Sequence, residues 1–143
     1  MKQIWLWICV LGLTLTATAQ NRKEKTAGPA GEKEAIFAFV EQMPEFPGGE
    51  DVMVRYLETN IRYPKKARKE GITGRVIVKF VVAANGLIRA PEVMRGIGYG
   101  CDQEALRVVK SMPAWKPGEQ NGRAVSTVYI LPVMFKLNAF AER

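Results

Sequence analysis

The residues of this sequence whose types and spacing could do chemistry are a glycine cluster, two acidic pairs, a lone thiol and a row of cations. Gly96-Ile97-Gly98-Tyr99-Gly100 falls between a predicted strand and a predicted helix, where a phosphate cradle would sit. The third glycine of such a cradle would fall at Cys101, and the preceding strand belongs to a hairpin, not to a parallel crossover unit. The cluster therefore reads as a loop using positive φ angles. Glu50-Asp51 and Asp102 with Glu104 lie at predicted helix starts, where carboxylates favour the positive end of the dipole. Carboxylates one or two positions apart on a helix do not converge on a point. The 143 residues include no histidine, which removes the usual general base near neutral pH and the commonest metal ligand. Cys9 and Cys101 can build neither a disulfide framework nor a four-cysteine zinc site. Cys101 is expected to be a buried small apolar residue, or else an intermolecular bridge. No catalytic, cofactor-binding or metal site is expected, and a binding module is the favoured reading. Lys65, Lys66, Arg68 and Lys69 form either a solvated helix face or an electrostatic docking patch.

The elements that must position these residues follow from periodicity. Val52, Tyr56, Leu57 and Ile61 recur near helical spacing, so Glu50 to Asn60 is a predicted amphipathic helix. A short second helix is predicted from Pro64, with Ala67 inward and Gly71 ending it. Arg75 to Val82 is the clearest strand, with Val76, Val78, Phe80 and Val82 on one face. Asn85-Gly86 predicts a hairpin whose two residues both tolerate positive φ, returning along Leu87 to about Met94. Pro91 marks an edge or a bulge there. Asp102 to Met112 is a third helix, stopped by Pro113, with Ala105, Leu106, Val109 and Met112 as its stripe. Trp115 to Gly118 and Asn121-Gly122 are turns, and Val125 to Leu137 is the last strand. Pro132 removes a ladder donor and makes that strand a better edge than centre. An exposed edge can pair with another chain by strand addition, or with a second copy of itself, or be merely structural. The fold class is α+β: a small antiparallel sheet with helices packed on one face.

Outside this domain, Lys2, the apolar run Ile4 to Leu15 and Ala17-Thr18-Ala19 match a secretory leader cleaved before Gln20. The rival is a short uncleaved anchor. Ile36 to Val40 is a short apolar stretch that could be a strand. The expected organisation is a leader over 1–19, a tether over 20–39, a domain over 40–137 and a tail over 138–143. Export argues against nucleic acid as a partner despite the net charge of +7.

Asn60-Ile61-Arg62-Tyr63-Pro64 with Ala67 and Gly71 resembles the Tyr-Pro motif that opens a TonB C-terminal domain. Gly74-Arg75-Val76 through Phe80, then Asn85-Gly86-Leu87, resembles that family's hairpin. Asp102, Ala105 and Leu106, then Met112-Pro113, Trp115 and Pro117-Gly118, resemble its second helix and exit. Val133-Met134-Phe135-Lys136-Leu137 resembles its closing strand, and Met43 to Gly49 resembles the extension of Bacteroidetes-type members. The resemblance implies a periplasmic domain that grips short TonB-box segments of outer-membrane receptors by strand addition. The gripping strand would be Ser126, Thr127, Val128, Tyr129, Ile130, Leu131, Val133, Met134 and Phe135, with Arg62, Tyr63 and Pro64 nearby. An uncleaved leader would instead imply an anchored energy transducer coupled to inner-membrane motor proteins. A third expectation is a structural envelope protein binding an anionic polymer through Lys65, Lys66, Arg68 and Lys69.

Overall fold

A computed structural model describes residues 34–137, and Cys9, the leader, most of the tether and the tail lie outside the described residues. The elements in chain order are β1 (Ile36–Phe37), α1 (Glu50–Asn60), α2 (Lys65–Lys69), β2 (Gly74–Val82), β3 (Ile88–Arg95), α3 (Cys101–Lys110), β4 (Gly118–Gln120) and β5 (Arg123–Phe135). The sheet runs β1-β5-β2-β3, with β4 paired to the beginning of β5.

The β2 alternation buries Val76, Val78, Phe80 and Val82, and β5 adds Leu131, Val133 and Phe135 to the same cluster. Met53 and Leu57 of α1, Ala67 of α2 and Cys101, Ala105, Val108 and Val109 of α3 cover that face. The α+β expectation holds, with two differences. The sheet is mixed, because β1 runs parallel to β5, with Ile36 opposite Ser126 and Phe37 opposite Thr127. Ile36 and Phe37, expected within the tether, thus complete the sheet. The second difference is β4, read from sequence as part of a turn. It pairs antiparallel with Arg123–Val125 across Asn121-Gly122. Both turn residues have positive φ (51° and 69°), as a two-residue hairpin requires.

Local chemistry sets the other boundaries. Gly71, at φ 66°, ends α2 by letting its own N–H reach the Arg68 carbonyl while the Ile72 N–H reaches Ala67, a full left-handed cap. Pro64 is the residue before α2, not its first helical one. The β2–β3 loop uses positive φ only at Gly86, not at Asn85: the Gly86 N–H bonds Ala83 and the Ala83 N–H bonds Leu87. Gly86 also accepts from the Trp115 N–H at 2.8 Å. A Cβ there would overlap the Trp115 carbonyl oxygen. Pro91 does sit on the edge strand β3, after Ala90 at φ 46° and beside shifts in the β2·β3 register. On α1 the inward positions are Met53 and Leu57, followed by Ile61 just past its end, whereas Val52 is exposed and tucks under Gly48.

Candidate functional site

The expected edge strand is covered along one side by β2, from Thr127 opposite Val82 to Phe135 opposite Gly74. Its other side divides in two. At Ser126 and Thr127 it is occupied by β1. From Val128 to Phe135 it has no strand partner among the described residues. Ser126 and Thr127 are therefore not available to an incoming strand. They are almost wholly buried, at 2% and 0% exposure. The Ser126 hydroxyl donates to the Glu34 carboxylate and accepts the Ala84 N–H at 3.2 Å. The expected run of Ser126 to Phe135 shortens to Val128 to Phe135.

Backbone parity follows from Pro132. In an antiparallel ladder successive residues direct their N–H and C=O alternately to the two sides, and a proline is tolerated where its missing donor faces away from the partner. Tyr129, Leu131, Val133 and Phe135 then bond β2, while Val128, Ile130, Pro132 and Met134 present backbone groups to the open side. Side chains obey the other alternation. Leu131, Val133 and Phe135 are buried in the core, while Ile130 and Met134 stay 53% and 46% exposed. Tyr129 is half-buried against Phe80 and Trp115. Burial, with the Glu50 carboxylate adding to it, pushes its phenol pKa up, so it is neutral at any working pH.

Beside the open side runs an apolar groove of about 160 Å³. Val54 and Leu57 of α1 and Ile61 just after it line the groove together with Pro132 and Met134, and Glu58 and Lys136 supply its charges. The sequence reading did not single out this α1 wall. Its signal was present as the spacing 54, 57, 58, 61, one helical face.

The Arg62-Tyr63-Pro64 segment is a brace beside this groove. Tyr63 is buried, its ring edge-on to Phe135 at 5.8 Å and its hydroxyl donating to the Ile72 carbonyl. Its side chain faces the core and is not an exposed contact surface. The Arg62 N–H donates to Glu104 at 2.7 Å, and Arg107, bonded to Glu104 at 2.6 and 2.9 Å, also donates to the Asn60 carbonyl at the end of α1. Burial alone would raise the Glu104 pKa; the bonds from Arg107 and the Arg62 N–H outweigh it and hold the carboxyl below its ordinary range.

Asp102 accepts the N–H groups of Ile97 and Gly98, which fixes the glycine loop; Gly98, Tyr99 and Gly100 all have positive φ. Cys101 is buried, and burial followed by the charges of Asp102 and Glu104 pushes its thiol pKa up, away from reactivity. Lys65, Lys66, Arg68 and Lys69 are exposed around the inward Ala67, and Lys66 lies 5.7 Å over the Tyr99 ring. None of the four forms an ion pair among the described residues. The described residues hold no group of three His, Cys, Asp or Glu side chains suited to a metal, and no helix long and apolar enough to cross a membrane.

No curated protein matches this sequence. Among solved structures it is similar to the Helicobacter pylori TonB C-terminal domain in two solution structures. One is 25% identical, covering 62% of this chain and 96% of that one, with a TM-score of 0.45. The other, a longer piece, is 26% identical, covering 64% and 86%, with a TM-score of 0.43. The model of the Gram-negative bacterial TonB protein C-terminal matches residues 59–137, more than half of the sequence, and the chain belongs to that family.

Proposed function

We propose that this domain receives a short extended segment of an outer-membrane receptor, its TonB box, as an added strand along Val128 to Phe135, in TonB-dependent transport. The family is one of non-enzymatic protein-interaction domains of the cell envelope that act with outer-membrane receptors. The observation that carries the finer reading is the side of β5 that has no strand partner among the described residues and lies against the α1 groove. Backbone bonds to Val128, Ile130 and Met134 would supply affinity, and the groove would take one apolar side chain of the added strand. A periplasmic location after leader cleavage belongs to the same reading; with the leader retained, the domain would transmit force from motor proteins.

The test is titration of the full chain with a receptor amino-terminal peptide. Saturable shifts confined to the β5 amides from Val128 onward and to α1 support the reading. Binding that survives N-methylation of every second peptide amide, in both registers, excludes strand addition. Pairing of two copies through β5 predicts instead that these signals move with protein concentration alone.

The exposed cations of α2, which form no ion pair among the described residues, favour a second reading, retention on an anionic envelope polymer. Changing Lys65, Lys66, Arg68 and Lys69 together to glutamine is expected to abolish salt-sensitive retention; unchanged retention rejects it.

A further inference from the structure

The sheet face turned away from the helices carries two charges that the described residues do not answer. Register sets their places. Ile77 pairs with Arg95 on β3, and Arg75 lies two positions before it on the same face. Arg75 and Arg95 are thus diagonal neighbours, with backbones about 7–8 Å apart, within reach of long side chains. Between them opens a recess of about 350 Å³ lined by Arg75, Ile77, Arg95 and Ile97. The other cations of β2 and β3 are matched, Lys79 to Glu92 and Arg89 to Glu34. Neither Arg75 nor Arg95 has an ion pair or side-chain hydrogen bond among the described residues.

The recess is built by its neighbours. Gly74, at φ 153°, leaves room for Ile97: a Cβ there would meet the Ile97 side chain at 3.3 Å. Asp102 pins the Ile97 and Gly98 N–H groups, so its carboxylate is spent on the loop and not on the arginines. Both arginines are exposed, and two long cationic side chains on diagonal positions can reach one multivalent anion together. A single carboxylate is satisfied by one guanidinium fork, whereas two forks match a group offering three or more acceptor oxygens. The side chains of Ile77 and Ile97 complete the lining, and they suit the carbon skeleton of a phosphoryl group carried on a lipid headgroup.

We propose that Arg75 and Arg95 form a binding site for a phosphoryl group on the helix-free face, taken from free phosphate or from a phospholipid headgroup. The site is separate from the open side of β5 and does not depend on strand addition.

The test uses the labelled full chain at constant ionic strength. Inorganic phosphate is titrated while the Nε–Hε signals of Arg75 and Arg95 are followed. In parallel, co-flotation with phosphatidylcholine vesicles is compared with and without phosphatidic acid. Saturable movement of both signals, weakened about tenfold or more in R75Q and in R95Q, supports the site with free phosphate as its ligand. A flat phosphate titration, with flotation raised by phosphatidic acid and reduced to the phosphatidylcholine level in both variants, supports the site with a headgroup as its ligand. The double variant R75K/R95K keeps the charge without the forks and is expected to bind between the two limits. It carries the comparison if the glutamine variants lose the fold. Acetate moving the signals as far as phosphate does overturns the proposal. So does a flat titration together with flotation indifferent to phosphatidic acid or to the substitutions.

Discussion

The two halves of β5 are treated differently by the rest of the chain. Arg123 to Thr127 is flanked by β4 and β1, and its two hydroxyl residues Ser126 and Thr127 are buried with partners. Among the described residues Val128 to Phe135 is paired on one side only, and its outward side chains Ile130 and Met134 are apolar and exposed. One strand thus includes a segment flanked on both sides and a segment whose second side has no strand partner among the described residues. An unpaired, partly apolar edge is a hazard that folds usually blunt. Here Pro132, which lacks an N–H, and Lys136 just beyond the strand lessen it.

That contrast can be broken from either half. The largest effect is expected at Phe135→Ala. The residue belongs to the open half by its backbone but to the core by its fully buried ring, and its loss is expected to cost about 3–5 kcal/mol in urea unfolding. A near-neutral result would mean that the open half is not anchored in the core. Gly118→Val strikes the covered half. A side chain there would overlap the Thr127 hydroxyl and crowd Gln42 and Val40, at an expected cost of about 1–3 kcal/mol. Faster amide exchange at Ser126 and Thr127 would accompany it, and unchanged exchange would show that β4 does not support this half.

The groove sharpens the contrast at smaller cost. Val54→Glu and Met134→Glu place a charge among apolar neighbours at sites about half exposed, so stability is expected to change by no more than about 0.5 kcal/mol. Receptor-peptide affinity is expected to fall about tenfold in each, read by calorimetry, because the charge must be desolvated under the added strand. Equal affinity would remove the groove from the account.

The brace behind the groove has a pH signature. The folded Glu104 pKa is depressed, so its stabilisation is present above the unfolded carboxylate value of about 4.3 and is lost as pH falls through the lower folded value. Glu104→Gln is expected to unfold more easily at neutral pH and to show a shallower decline in the acid range. A parallel decline in both proteins would contradict that role. The smallest effect is expected at Ile130→Thr, an exposed site on the open half, within about ±0.5 kcal/mol by thermal melting.

Where periodicity and local chemistry act alone, sequence was enough. The bounds of α1, the β2 alternation and the Gly71 cap are set within a turn or two of chain. What escaped depends on distant partners. Residues 118–120, Gly-Glu-Gln, have no strand character of their own; they are a strand because Arg123–Val125 folds back on them and Gln42 bridges Glu119. Ile36–Phe37 is too short to carry a period, and only its contact with Ser126 and Thr127 makes it a strand. The candidate edge was legible from Pro132, but its length was not, because β1 covers the first two of its expected residues. Tyr63 was legible as a motif residue, yet nothing local says that its ring turns inward onto Phe135.

The most direct test of the open edge is residue-resolved amide exchange along β5 in the full chain, with and without a receptor amino-terminal peptide. Tyr129, Leu131, Val133 and Phe135 are expected to be protected throughout by β2. Val128, Ile130 and Met134 are expected to exchange fast in the free protein and to become protected on binding, while Ser126 and Thr127 do not change. Uniform protection of β5 in the free protein, or peptide binding that leaves Val128, Ile130 and Met134 as fast as before, would contradict the account.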